Sequence, residues 1–130
     1  MRLNQVMRHC SNLERSLDFY RQLGLEMIVY TANHYARLVC PDGQSTFSLH
    51  QVALTVADRH CIIYFECEEL DATVARLQAQ GLVFDSPPQD QAWLWREAHL
   101  SDPDGHPVCL YSAGENRLNP PWRISSSQFA

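Results

Sequence analysis

The chain has no basic cluster: its ten basic residues, all arginine, are scattered among fifteen acidic ones, for a formal net charge of −5. A phosphate backbone or an anionic membrane surface finds no electrostatic footprint here. Long apolar runs are also missing. Runs such as Ile62-Ile63-Tyr64-Phe65 are far short of a membrane span. Arg2, Asn4, Gln5, Arg8 and His9 leave no room for the apolar core of a secretion signal near the start. The expectation is a cytoplasmic protein. No Cys-x-x-Cys pair occurs, and the five cysteines, Cys10, Cys40, Cys61, Cys67 and Cys109, are odd in number. Reduced thiols, most of them acting as small buried hydrophobes, fit this better than a disulfide framework. The expected partner is a small molecule or a second copy of the chain, with no nucleic acid and no membrane.

What is present is 130 residues at 45% hydrophobic content, enough for one core and one domain, and a repeat. Asn12 to Leu25 lies over Glu69 to Leu82 at an offset of 57 positions. Leu13 then meets Leu70, Leu17 meets Val74, Tyr20 meets Leu77, and Gly24 meets Gly81. Apolar residues at i, i+4 and i+7 lay one stripe along a helix of about three turns, which packs on a sheet. Ser11/Asn12 and Glu68/Glu69 suit helix starts, and the two glycines suit the left-handed position past each end.

β-like runs flank both helices. In the first half they are Leu3 to His9, Met27 to Tyr30, Tyr35 to Val39 and Thr46 to Val52. In the second they are Cys61 to Cys67, Leu82 to Phe84, Trp93 to Leu100 and Val108 to Ser112. Pro41-Asp42-Gly43 and Pro103-Asp104-Gly105 are matching turn signals, with glycine expected to supply a positive φ. The second copy is about five residues longer, most simply in Ser86-Pro87-Pro88-Gln89-Asp90. The fold class is therefore α+β, with a βαβββ module over 1–56, a second over 57–113, and an extended tail over 114–130. The tail carries Leu118, Trp122 and Ile124, which predicts packing across the domain or a dimer interface with Trp122 as anchor. Ser125 to Ala130 reads as a frayed end.

The two modules, the Leu13-to-Leu25 helix pattern and the Asp102-Pro103-Asp104-Gly105 turn together resemble the vicinal oxygen chelate superfamily, the glyoxalase, bleomycin-resistance and extradiol-dioxygenase group. The resemblance implies a U-shaped cleft between modules, a homodimer, and in many members a divalent metal held by four side chains from the first and last strands. The matching positions here are Gln5, Ser48, Ile62 and Cys109. Ile62 cannot ligate and serine is a poor ligand, so the expectation is no metal at these positions and no cofactor, with a divalent metal as the alternative.

Alternation along strands puts Met7 beside Gln5, His50 beside Ser48, His60 and Tyr64 beside Ile62, and Tyr111 beside Cys109. His9, His50 and His60 could make a displaced metal site. The resemblance places Glu97 and His99 inward, and a carboxylate with an imidazole is material for proton transfer. The bland alternative pairs Glu97 with Arg96 or Arg123 and His99 with a backbone carbonyl. Trp93 and Trp95 share their parity and could wall a flat ligand. Cys109 has no partner base nearby in sequence. Two functions compete: metal-free small-molecule binding or sequestration, on Gln5, Met7, Ser48, His50, His60, Ile62, Trp95, Cys109 and Tyr111; and a glyoxalase-like lyase or isomerase, with catalytic Glu97 and His99, acting on a small oxygenated or thiol-conjugated substrate.

Overall fold

The computed structural model describes residues 1–125. The chain forms two compact units, Met1–Cys61 with Ser101–His106, and Ile62–Leu100 with the segment from Pro107 onward. Each carries a four-stranded mixed sheet and one helix.

In the first unit β1 (Gln5–Cys10) leads to α1 (Leu13–Gln22), followed by β2 (Glu26–Thr31), β3 (Tyr35–Val39) and β4 (Thr46–Gln51), in sheet order β1-β4-β3-β2. β1 and β4 run parallel, with Met7 opposite Ser48 and His9 opposite His50. The helix starts where expected: Asn12 is extended (φ −143°) and its side chain accepts from the Arg15 amide at 3.0 Å. It stops at Gly24, whose φ of 102° a side chain would resist. Leu13, Leu17 and Tyr20 are buried, and α1 packs on β3 and β4, where Leu38, Phe47 and Leu49 face the core. Each such aliphatic side chain contributes about 1.5–3 kcal/mol by burial.

The segment Ser101–His106 closes onto α1. The Asp104 carboxylate takes the Ser11 amide and hydroxyl at the helix N-terminus, where the helix dipole favours a negative charge. Asp102 accepts from the Tyr20 hydroxyl at 2.6 Å, and Arg8 donates to Tyr20 at 3.2 Å and to the Cys61 carbonyl at 2.9 Å. Of the two expected glycine turns only the second has a positive φ, 84° at Gly105; Gly43 turns without one.

In the second unit β5 (Ile63–Glu66) precedes α2 (Leu70–Ala79), then β6 (Gln89–Asp90), β7 (Arg96–Ser101) and β8 (Pro107–Ser112), in order β5-β8-β7-β6. Leu70, Val74 and Leu77 are buried, and α2 packs on β8. Gly81, with φ 100°, ends the helix as Gly24 does.

Two strand expectations need correction. Leu82 to Phe84 is not a strand: Phe84 makes a single bridge to Leu100, and regular pairing is delayed to Gln89–Asp90. Pro87-Pro88 lacks two amide donors, so the ladder cannot run through it. The strand expected from Trp93 begins only at Arg96, because Gln91 N–H bonds the Trp95 carbonyl at 2.7 Å and Leu94 takes φ 69°, closing a hairpin loop. The tail differs as well. Gly114–Asn116 forms a 3-10 turn, and Leu118, Trp122 and Ile124 stay exposed, Trp122 at 55%, so it is no buried anchor within the described chain. Of the frayed end expected from Ser125, residues 126–130 lie outside the described residues. All five cysteines are free, but only Cys10 and Cys109 are buried, while Cys61 is exposed.

Candidate functional site

β5, β8 and β7 lie side by side, and residues two apart on each share a face. Val108, Leu110, Ala98 and Leu100 point to the apolar core. The opposite face presents Tyr64, opposite Cys109 in the β5–β8 register, together with Tyr111, Glu97 and His99. Burial of one face is what forces these polar groups onto the other.

The chemistry centres on Glu97, whose carboxylate is almost fully buried yet fully engaged. Its Oε1 lies 2.9 Å from His99 Nε2, and its Oε2 accepts the Trp93 indole N–H at 2.7 Å. The pairing with Arg96 or Arg123 does not occur: Arg96 binds Asp71 and Asp90, each at 3.0 Å, and Arg123 binds Asn119. The side chain of His99, 36% exposed, turns to Glu97 and to Cys109 Sγ at 3.8 Å, not to a backbone carbonyl. Cys109 thus has neighbours that a linear reading could not supply. Burial, then the Glu97 charge, pushes its thiol up to about 12. Nucleophilic thiolate chemistry at neutral pH does not follow from that environment.

Beside this polar centre stands an aromatic group. Trp95 and Tyr111 stack at 4.5 Å with rings 14° apart, and Tyr64 meets both edge-on at 6.1 and 5.8 Å. The Trp95 indole donates to the Asn116 carbonyl at 3.3 Å, so the 3-10 turn holds the ring in place. Burial raises the Tyr64 and Tyr111 hydroxyls above their ordinary values. Next to this wall Ile62 and Tyr64 remain open, at 37% and 46% exposure.

In the first unit Gln5, Met7 and His9 share a face with Ser48 and His50, as alternation requires. The Gln5 side-chain amide oxygen accepts from the Thr46 hydroxyl at 2.8 Å, and Ser48 is buried. His50 packs against His9 (5.8 Å) and against His34 (4.9 Å), a neighbour the spacing did not reveal. His60 sits in an exposed turn, its amide bonded to Asp58. His9, His50 and His60 do not gather their nitrogens into a metal-sized group; among the described residues only Glu97, His99 and Cys109 do so, their ligand atoms all within 4.8 Å of one another.

The profile of the Glyoxalase/Bleomycin resistance protein/Dioxygenase superfamily matches residues 2–110, and the chain belongs to that superfamily. A glyoxalase/bleomycin resistance protein/dioxygenase from Nocardioides is 21% identical with a TM-score of 0.76, over 96% of this chain and 90% of its own. A superfamily member from Sphaerobacter thermophilus is 24% identical with a TM-score of 0.73, over 86% and 97%. Lactoylglutathione lyase from Agrobacterium tumefaciens is 16% identical with a TM-score of 0.72, over 85% and 92%. At these identities the likeness is one of fold. No curated protein matches the chain.

The metal positions that the family resemblance implies hold an amide, a hydroxyl, a thiol and, at Ile62, no donor at all. Without imidazole or carboxylate they do not fit a divalent ion, and no chemistry here runs through a metal held by that set. No helix among the described residues is long and apolar enough to cross a membrane.

Proposed function

We propose that this chain is a small-molecule-binding protein whose ligand lies against the second sheet where Tyr64 and His99 reach the surface. Its flat or apolar part would rest against Tyr64 and the Trp95–Tyr111 stack, and an oxygen function would reach His99. The observation that carries this reading is the stacked Trp95–Tyr111 pair standing beside a pre-oriented Glu97–His99 pair. An aromatic surface with a few convergent polar groups is the usual composition of a ligand site. Tryptophan fluorescence of chelator-treated protein, titrated with benzoate, catechol and lactoylglutathione, tests it. Saturable quenching by at least one probe, lost in Trp95→Ala, is expected; no response to any of the three would reject the reading.

A glyoxalase-like lyase or isomerase is the second reading, favoured by the 2.9 Å contact between Glu97 and His99. A carboxylate that orients an imidazole at a half-open edge can pass a proton to and from a bound substrate. Incubation with glutathione and a 2-oxoaldehyde, whose hemithioacetal isomerises downhill to the hydroxyacyl thioester, followed by proton NMR tests this. Turnover that Glu97→Gln abolishes supports it, and absence of the thioester rejects it. In both readings the chain works as a homodimer in the cytoplasm, with the exposed Ile28, Val29 and Tyr30 of edge strand β2 against a second copy. Sedimentation of the protein as a monomer at micromolar concentration would count against this.

A further inference from the structure

We propose that Glu97, His99 and Cys109 form a three-ligand site for a zinc-class divalent cation, built wholly within the second module and open at a fourth position. It differs from the four positions the family resemblance implies. Only Cys109 is shared with them, and both other ligands come from β7, next to β8.

The geometry supports this directly. His99 Nε2 lies 3.8 Å from Cys109 Sγ and 2.9 Å from Glu97 Oε1, and all three ligand atoms fall within 4.8 Å of one another. Tetrahedral zinc with ordinary bond lengths separates a nitrogen from a sulfur by about 3.6 Å, and a nitrogen from an oxygen by about 3.4 Å. To seat the ion, the nitrogen–oxygen pair would open by about 0.5 Å and the nitrogen–sulfur pair would close by about 0.2 Å. A cation would replace the Glu97–His99 hydrogen bond, and the Cys109 thiol would release its proton to solvent as sulfur binds the metal. One sulfur, one nitrogen and one oxygen make a borderline donor set that suits zinc or cobalt and disfavours magnesium and calcium. Three protein ligands with one open place are the pattern of sites where a metal meets a substrate rather than serving as a staple.

The surroundings are those of a prepared site. The Trp93 indole holds the other Glu97 oxygen at 2.7 Å, which orients Oε1 toward the proposed ion. Leu94, at φ 69°, makes the turn between the two tryptophans, and non-glycine residues in that region are uncommon enough to suggest a functional reason. Glu97 and Cys109 are buried while His99 is partly open, so entry and the free coordination place lie on the His99 side. That is the side on which the proposed ligand sits, yet the cation site does not depend on that ligand.

The test is titration of chelator-stripped protein with Co2+ and no organic ligand. Expected are one equivalent per chain, a thiolate-to-cobalt charge-transfer band, intense four-coordinate visible bands, and displacement by Zn2+. Cys109→Ser should abolish the charge-transfer band, and His99→Gln and Glu97→Gln should each weaken binding more than Trp93→Phe, which should cost about 10-fold. Cys61→Ser should change nothing. His99 is partly exposed, so its variant keeps the test valid should Cys109→Ser fail to fold, with circular dichroism as the check. A charge-transfer band that survives Cys109→Ser, binding unmoved by His99→Gln, or no stoichiometric uptake would overturn the proposal. Because the ligand assay uses stripped protein and the cobalt assay uses no ligand, either reading can fail while the other stands.

Discussion

Tyr20→Phe removes one oxygen from the interior and leaves its packing in place. The ring lies edge-on to Phe19 at 5.0 Å and tilted against Phe47 at 4.4 Å, contacts that phenylalanine keeps. What is lost is the 2.6 Å bond from the hydroxyl to Asp102 Oδ2, together with the acceptor that Arg8 uses at 3.2 Å. Asp102 Oδ1 keeps the amides of Asp104 and His106, at 2.9 and 3.0 Å, so half of the carboxylate stays satisfied. Arg8 stands 4.0 Å from Oδ2, near enough to offset part of the loss. A buried hydrogen bond to a charged acceptor contributes about 1.5–3 kcal/mol, which places the expected destabilisation near 2 kcal/mol. For a chain of this size that lowers Tm by about 6–10 °C. Urea unfolding followed by circular dichroism measures it, with Tyr30→Phe as control: that hydroxyl bonds the Glu14 carboxylate at the surface, and its loss should leave the unfolding midpoint almost unmoved. Equal effects in the two variants would refute the reasoning, since burial would then not be what gives the Tyr20 bond its value.

Gly24→Ala and Gly81→Ala should each cost about 1–2 kcal/mol, although nothing lies within 4 Å of an added Cβ, because φ near 100° is strained for any side chain; a neutral result in urea unfolding would contradict this. Thiol labelling of the native protein at pH 8 should modify exposed Cys61 first and buried Cys10 and Cys109 only on unfolding, as mass spectrometry of labelled peptides can show. Stability should fall at alkaline pH partly through Cys10, which burial and then Asp104 push from 9.0 to about 11. Between those values the unfolded chain has lost that proton and the native one retains it. The unfolded state thus binds fewer protons, and its contribution to stability, complete below pH 9, is lost as pH rises toward 11. Cys10→Ala should flatten the slope over that window, and an unchanged slope would show that Cys10 ionises alike in both states.

Much of the architecture was legible because it follows from local rules. The stripes Leu13-Leu17-Tyr20 and Leu70-Val74-Leu77 allow one buried face each, and Gly24 and Gly81 end the two helices as their backbone freedom permits. Alternation put Met7 with Gln5 on one face, and the family resemblance singled out Glu97 and His99. The second module departed from the pattern where local chemistry competed with pairing: two prolines kept the ladder from running on from the Phe84 bridge to Gln89, and Leu94 turned Trp93 and Trp95 out of β7.

Which partners a polar side chain finds was decided only in three dimensions. By sequence Glu97 has Arg96 for a neighbour, but strand alternation sends that arginine to the other side, where Asp71 and Asp90 take it. The hairpin loop instead delivers Trp93 to Glu97. Cys109 lies ten positions beyond His99 and gains it only because β7 and β8 are adjacent in the sheet. The sequence by itself determined two repeated modules and that Ile62, at one of the four implied metal positions, offers no donor atom. The tertiary structure alone determined that Cys109 has Glu97 and His99 beside it, because strand adjacency and loop conformation, unlike periodicity, are set by the packing of the whole chain.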